Sequence, residues 1–285
     1  MATPVQVSSV TGSRRRELGC DSARSLLLTV LGEFVHPRRD PVWTGALVQA
    51  LAGQGVEEKS ARQAIARSAA EGVLSSQRVG RRVRWALTGP GAELLADGTE
   101  RIYSFMREPA PWDGRWLVLS VAIPGTQRQL RHQLRTRLTW LGMGSPSPGL
   151  WVVPDATKEA AAAHVVAEAG LTGRAFAWVG DAAAAIGDRA ALLDAAWNLD
   201  AVEARYSAFL AAFADRVADS DAAAFTAQVQ LVQAWRRFPF LDPALPPELL
   251  DHTWPGANAA ETFHRLHTRW HAGAQRHWAE LAARG

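Results

Sequence analysis

Arg62, Gln63 and Arg67, with Lys59 and Ser60 just ahead of them, gather guanidinium, amide, ammonium and hydroxyl groups into one short stretch. An arginine fork can hydrogen-bond a guanine edge, and a glutamine amide fits the matching edge of adenine. Further along, Arg78, Arg81, Arg82 and Arg84 crowd around Gly80. Guanidiniums grouped in that way suit phosphate oxygens, which position a protein on a duplex without reading its sequence. The competing role for Arg62 and Arg67 is an ion pair on the helix surface with Glu58 or Glu71.

Two supports must position these groups. From Glu57 to Glu71 the residues Ala61, Ala64, Ile65, Ser68 and Ala69 recur with helical spacing, which turns Lys59, Arg62, Gln63 and Arg67 elsewhere. Gly72 is a stop signal. The period then falls to two: Leu74, Ser76 and Arg78, then Val83, Trp85 and Leu87, predict a hairpin with Gly80 in its turn. Upstream, Asp21-Ser22 can cap a helix whose apolar face is Leu26, Leu27, Val30, Leu31 and Phe34. Residues His36 to Pro41 read as a turn, with Pro41 suited to a first helical position. Trp43, Leu47, Val48 and Leu51 then form the buried face of a second helix, closed by Gly53 and Gly55. Helix, helix, turn, helix and hairpin over residues 22–90 is the order of a winged helix-turn-helix. Its third helix enters the major groove of double-stranded DNA, and its wing lies along phosphates or a minor groove.

Charge is distributed accordingly. The chain of 285 residues has a formal net charge of +3. Residues 1–90 carry 13 Lys and Arg against 7 Asp and Glu, whereas the remainder carries 18 against 21. A basic module on a mildly acidic body suits a nucleic-acid reader joined to a sensing or assembly domain. The single cysteine, Cys20, excludes an internal disulfide and any CxxC metal knuckle. No run of apolar residues is long enough to span a membrane, and nothing ahead of Arg14-Arg15-Arg16 reads as a secretory signal. The expectation is a cytoplasmic protein.

Beyond the basic module the pattern changes twice. Residues 1–21 read as a flexible tail, and residues 91–111 as a linking helix ended by Pro109-Ala110-Pro111-Trp112. Residues 112–181 alternate strand and helix as β-α-β-β-α-β, a ferredoxin-like unit. In it Leu130, Leu134, Leu138 and Leu141 share one helix face, and two short strands flank a Pro-Gly turn. From 182 to 285 the chain reads as a helical C-terminal domain. The fold class expected is thus α+β and multidomain.

Four segments in this frame resemble one known family: the hairpin region AEGVLSSQRVGRRVRWALTGPG, WDGRW at 112–116, GMGSPSPGLWVVP at 142–154, and WRRFPFLDPALPPELLDHTWPG at 235–256. They are similar to the PaaX family of bacterial transcriptional repressors, named for control of phenylacetic acid catabolism. The resemblance runs from about residue 22 to residue 283, and its last segment is the most specific. It implies a homodimeric repressor released from its operator by an acyl-CoA thioester, phenylacetyl-CoA in the best-known members. The chain departs from the family in having Arg67-Ser68 where the recognition helix usually has Arg-Leu.

Given such an effector, Arg236 and Arg237 are candidates to clamp the phosphates of CoA. The competing role is a salt bridge to Asp242 or Glu248 that holds the proline-rich loop. Arg115, Trp116, Trp151 and Trp254 are candidates to line the site, Trp151 or Trp254 receiving the acyl group. Core packing is the competing role for the tryptophans. His264, His267 and His271 share one face of the last helix and read as a solvent- or partner-facing stripe more than as a metal site. No cofactor is expected. The central topology also resembles small CRISPR-associated ferredoxin-fold nucleases, but the first strand ends Leu119-Ser120-Val121-Ala122-Ile123 without the carboxylate a metal-dependent nuclease needs. With no phosphate-binding loop or nucleophile elbow, an enzyme is not expected. The sequence reading is a homodimeric repressor of palindromic operators, released by an acyl-CoA or aromatic acid. A ligand-independent DNA-binding architectural or assembly protein is the alternative.

Overall fold

A computed structural model describes residues 22–107, 111–183 and 186–284. The expected tail at 1–21 and Pro109-Ala110 of the linker's end lie outside the described residues. The fold is mixed α and β, with two antiparallel sheets, and it divides into two compact units. One holds Met1–Phe105, Ala211–Arg237 and Ala260–Gly285; the other holds Met106–Leu210 and Phe238–Ala259. The segment 182–285 is therefore shared between the two units.

In the first unit, α1 (Ala23–Val30) starts at Ser22, whose hydroxyl accepts from the Ser25 backbone N–H at 3.2 Å. It runs into a π-helical turn, Leu31–Val35, closed by His36 N–H on the Leu31 carbonyl at 2.8 Å. A strand of two residues follows, β1 (Val42–Trp43), then α2 (Thr44–Ala52) and α3 (Glu58–Ala70). The helix expected from Pro41 therefore begins three residues later, at Thr44. Trp43 is a strand residue because Val42 and Trp43 pair with Trp85 and Arg84 of the hairpin. That hairpin is β2 (Leu74–Val79) and β3 (Arg82–Leu87), in a sheet of order β1-β3-β2. Helix α4 (Gly89–Ser104) starts at Thr88 and ends before the anticipated Pro109.

Leu27, Val30, Phe34, Leu47, Leu51 and Ile65 form the buried centre of this unit. Full burial of each such side chain contributes about 1.5–3 kcal/mol. The same cluster takes in Phe225 and Val229 of α9 (Asp221–Trp235) and Ala274 and Trp278 of α11 (Gly256–Arg284). The rings of Phe34 and Phe225 lie 4.8 Å apart, and those of Phe34 and Trp278 5.7 Å apart. Residues of the expected helical C-terminal domain thus pack into this core.

The second unit contains β4 (Arg115–Val121), α5 (Arg128–Trp140), β5 (Gly144–Ser147), β6 (Leu150–Val153), α6 (Glu159–Glu168) and β7 (Ala175–Asp181). Its sheet order is β5-β6-β4-β7, every neighbour antiparallel. Leu117, Leu119 and Val121 pack with Leu134 and Leu138 of α5 and Val165 and Val166 of α6. The alternate residues Trp116 and Val118 pack with Leu193 of α7 (Arg189–Ala196) and with Leu245 and Leu249. The period-two side-chain alternation of a strand thereby serves two cores. Helix α8 (Leu199–Phe213) contributes Tyr206, stacked on Phe238 of the short α10 (Phe238–Leu241) at 4.1 Å.

Candidate nucleic-acid interface

Ala61, Ala64, Ile65 and Ser68 are buried on α3, and Lys59, Arg62, Gln63 and Arg67 are exposed. The helical repeat therefore turns small and apolar side chains inward and the long donor-bearing ones outward, with Ser60 half-buried at the margin. Arg62 Nε lies 2.8 Å from Glu58 Oε1, with both groups largely exposed. An exposed i,i+4 pair is worth about 0.3–0.5 kcal/mol, so this guanidinium exchanges readily for another anion. Glu71, the other anticipated partner, is taken by Arg24 of α1, whose Nε donates at 3.0 Å. Arg67 makes no ion pair among the described residues.

The hairpin turns through Gly80 and Arg81, between the paired residues Val79 and Arg82. Gly80 has φ +61°, and glycine at the first central position is what a type II′ turn requires. Register then assigns the faces. Val42, Leu74, Trp85 and Leu87 turn to the core. Trp43, Gln77, Arg82 and Arg84 share the opposite face. Arg84 Nε donates to Gln77 Oε1 at 2.7 Å, and the Arg82 guanidinium sits 4.2 Å over the Trp43 ring. Trp43 is a platform for a hairpin arginine, which sequence reasoning missed by assigning it to a helix. The hairpin is fastened to α2 by Thr44, whose hydroxyl donates to the Val83 carbonyl at 3.0 Å and accepts from Trp85 Nε1 at 2.9 Å. Arg78 and Arg81 are exposed at the tip, Arg78 Nε donating to the Gly80 carbonyl at 3.3 Å.

Of the residues expected to hold an effector, Arg115, Trp116, Trp151 and Trp254 fall in the second unit and Arg236 and Arg237 in the first. Trp116 is buried on one face of the central sheet, against Trp112 and Trp197 at 6.0 and 6.5 Å. Trp151, paired with Leu119, is buried on the other face. Arg115 is paired with Asp113 at 2.8 Å; its backbone N–H and side chain hold that carboxyl below its ordinary range. Trp254 meets Tyr206 edge-on at 6.0 Å. Tyr206 donates to Asp242 at 2.5 Å, and the Ala244 backbone N–H donates to the same carboxylate at 2.7 Å, so Asp242 pins the proline-rich loop. Burial nevertheless pushes the Asp242 carboxyl up.

Arg236 belongs to the other unit. Its Nη1 donates to the Ser25 carbonyl and to Thr29 Oγ1, each at 3.0 Å. Thr29 Oγ1 donates to Gln233 Oε1 at 2.7 Å, and Gln233 Nε2 donates to Ser25 Oγ at 2.6 Å. This polar joint fastens α9 to α1, a partner neither anticipated role supplied. Arg237 is half-buried beside it in sequence.

A second polar joint was not foreseen at all. Glu33, in the π-helical turn, accepts from Tyr103 and from Gln228 Nε2 at 2.9 Å, and meets His267 Nε2 at 2.9 Å. His267 is therefore engaged inside the unit, and the histidine stripe is not simply solvated. No metal-binding cluster of three or more such side chains occurs among the described residues. The available signal was Glu33 itself, a lone carboxylate between Leu31 and Phe34 on a buried helix face.

Three family models match in succession: PaaX-like protein over residues 22–91, PaaX protein central Cas2-like domain over 109–192, and PaaX-like protein C-terminal domain over 197–280. The transcriptional repressor PaaX of Escherichia coli (strain K12) is 30% identical over 259 residues, 87% of this chain and 80% of that protein. The chain belongs to the PaaX family. The match at 22–91 takes in α1 to α3 and the arginine hairpin, so Lys59, Arg62, Gln63, Arg67, Arg78, Arg81, Arg82 and Arg84 all fall inside it. The uncharacterized protein Rv0674 from Mycobacterium tuberculosis has a similar fold, with a TM-score of 0.63 at 24% identity over 90% of this chain and 98% of that one. PaaX-family membership groups the chain with regulators and not with enzymes. No described helix of this PaaX-family chain is long and apolar enough to cross a membrane.

Proposed function

We propose that the chain is a PaaX-like transcriptional repressor, which binds palindromic operator DNA as a homodimer and is released by an acyl-CoA or aromatic-acid effector. The observation that carries the reading is the sorting of α3, with Lys59, Arg62, Gln63 and Arg67 outward and Ala61, Ala64, Ile65 and Ser68 inward, beside a hairpin bearing four arginines. Three helices followed by that hairpin support a winged helix-turn-helix, with α3 as the recognition helix and Arg78, Arg81, Arg82 and Arg84 as wing contacts. The order β5-β6-β4-β7 with α5 and α6 on one face supports a ferredoxin-like central unit. The name of the Escherichia coli relative supports repression.

A homodimer presents two copies of α3 to two half-sites. Strand β7 is a sheet edge that pairs only with β4 among the described residues, and it exposes Phe176 at 67% and Trp178 at 58%. Paired with its own copy about a two-fold axis through Trp178, it would lay Phe176 over the partner's Gly180, an aromatic covering an otherwise bare strand position. An effector that binds the DNA-free arrangement more tightly would lower operator affinity by linkage.

The test is fluorescence anisotropy against duplexes selected from a random pool, with and without phenylacetyl-CoA and phenylacetate. The expected result is a selected palindrome bound well above random duplex and released by one of the two compounds. No preference for any duplex overturns the repressor reading. Firm binding that neither compound relieves favours the ligand-independent architectural alternative.

A further inference from the structure

Within the second unit a groove of about 890 Å³ opens between the N-terminal half of α5 and the β5–β6 hairpin. That volume falls in the range of small-molecule sites. Its floor is apolar: Trp151, Leu134 and Val121 are buried, and Ile123 and Pro146 are half-buried. The rim is cationic. Arg128, Arg131 and Arg135 stand at i, i+3 and i+7 of α5, on one face of the helix, with His132 beside them. No carboxylate lines the groove among the described residues. None of the three arginines forms an ion pair among the described residues; Arg131 donates to the Pro124 carbonyl at 3.2 Å. The opposite wall is the turn through Pro148 and Gly149. Gly149 has φ +82°, and a Cβ there would lie 2.9 Å from the Val121 carbonyl oxygen, so the hairpin lies close against the end of β4.

Three guanidiniums over an apolar floor are complementary to one kind of occupant. We propose that this groove binds an amphipathic anion, a ligand with two or more negative charges in its head and an aromatic or aliphatic body. The arginine forks take the head through paired hydrogen bonds, and the body lies against Trp151, Ile123 and Pro146. A nucleic-acid backbone fits the arginines but leaves the apolar floor unused. The inference rests on the effector reading above and assigns that effector a location, one that includes Trp151 and excludes Arg115, Trp116, Arg236, Arg237 and Trp254.

Calorimetry on the full chain tests it with three probes: inorganic pyrophosphate for the head, phenylacetate for the body and phenylacetyl-CoA for both. The variants are R128A/R131A/R135A and I123D, the second placing a carboxylate on the floor. The wild type is expected to bind phenylacetyl-CoA at least tenfold more tightly than either fragment. Each variant, with its melting temperature and duplex affinity preserved, is expected to lose at least tenfold. Absence of phenylacetyl-CoA binding by the wild type, or undiminished binding by the arginine variant, overturns the proposal. So does a loss of duplex affinity with probe binding intact, which makes the arginines DNA contacts. The effector reading fails separately: if phenylacetyl-CoA binds in the groove without releasing operator DNA, the site stands and its regulatory role falls. If release persists undiminished in both variants, the groove falls and the effector reading stands.

Discussion

Glu33 Oε2 and His267 Nε2 lie 2.9 Å apart although 234 residues separate them in the chain. The contact ties the π-helical turn that follows α1 to α11. Burial alone pushes the Glu33 carboxyl up, but hydrogen bonding and charge from His267, followed by donation from Tyr103 and Gln228, outweigh it and leave the carboxyl below its ordinary value. A π-helical turn is a frequent marker of functional positions in helices, and here it carries this carboxylate.

A carboxylate depressed on folding stabilises the protein above its unfolded pKa, about 4.3, and that contribution is lost as pH falls through the lower folded value. Melting temperatures taken from about pH 6 down to about pH 3 should therefore fall more steeply for wild type than for Glu33→Gln. At neutral pH, His267→Ala should cost on the order of 3 kcal/mol, because it strips a buried carboxylate of a partner. Parallel acid profiles for wild type and Glu33→Gln would remove Glu33 from this role.

Arg236→Ala should lower stability by roughly 1.5–3 kcal/mol, because the Ser25 carbonyl and Thr29 hydroxyl lose a charged donor. Thr29→Val should weaken the same joint, and the double variant should cost less than the two losses added together. Effector-dependent release of DNA should survive. A stable Arg236→Ala protein that binds operator normally but ignores effector would restore the clamp role.

Arg81→Ala with Arg82→Ala should weaken operator and random duplex alike. Each lost phosphate contact should reduce the slope of log affinity against log salt by about 0.9. Trp43→Ala should reproduce part of the Arg82 effect, since the guanidinium loses the ring beneath it. The slope, read between about 50 and 200 mM salt, checks both; an unchanged slope rules out phosphate contacts from the wing.

Replacement of Gln63 or Arg62 should change which sequences are bound. A bidentate base contact is worth about 1–3 kcal/mol of discrimination, and the surface pair of Arg62 with Glu58 is too weak to prevent one. Selection of binding sites by each variant is the measurement. Recovery of the wild-type motif at wild-type strength would show that neither side chain reads a base.

Trp178→Asp should abolish self-association through β7 by burying a charge at the proposed axis, and should lower operator affinity through loss of the second half-site. Sedimentation velocity reports the first effect and anisotropy the second. A Trp178→Asp protein that remains a dimer would move the interface elsewhere.

Side-chain period was enough to read the α3 face, the arginine hairpin with its glycine turn, and the strand and helix order of the central unit. Those features depend on residues within a few positions of one another, where 3.6- and 2-residue repeats impose their own geometry. The position of Trp43 was not legible, because a strand of two residues exists only through its pairing with Trp85 and Arg84. Nor were the partners of Arg236 and His267, which lie 211 and 234 residues away and are chosen by how α9 and α11 seat on α1. Trp116 and Trp151 look equivalent as tryptophans on neighbouring strands; strand register sends them to opposite faces of one sheet. Local composition determined which elements form, whereas the burial of apolar faces against distant segments decided which polar groups meet, since only packed elements exclude the water that would otherwise take their hydrogen bonds.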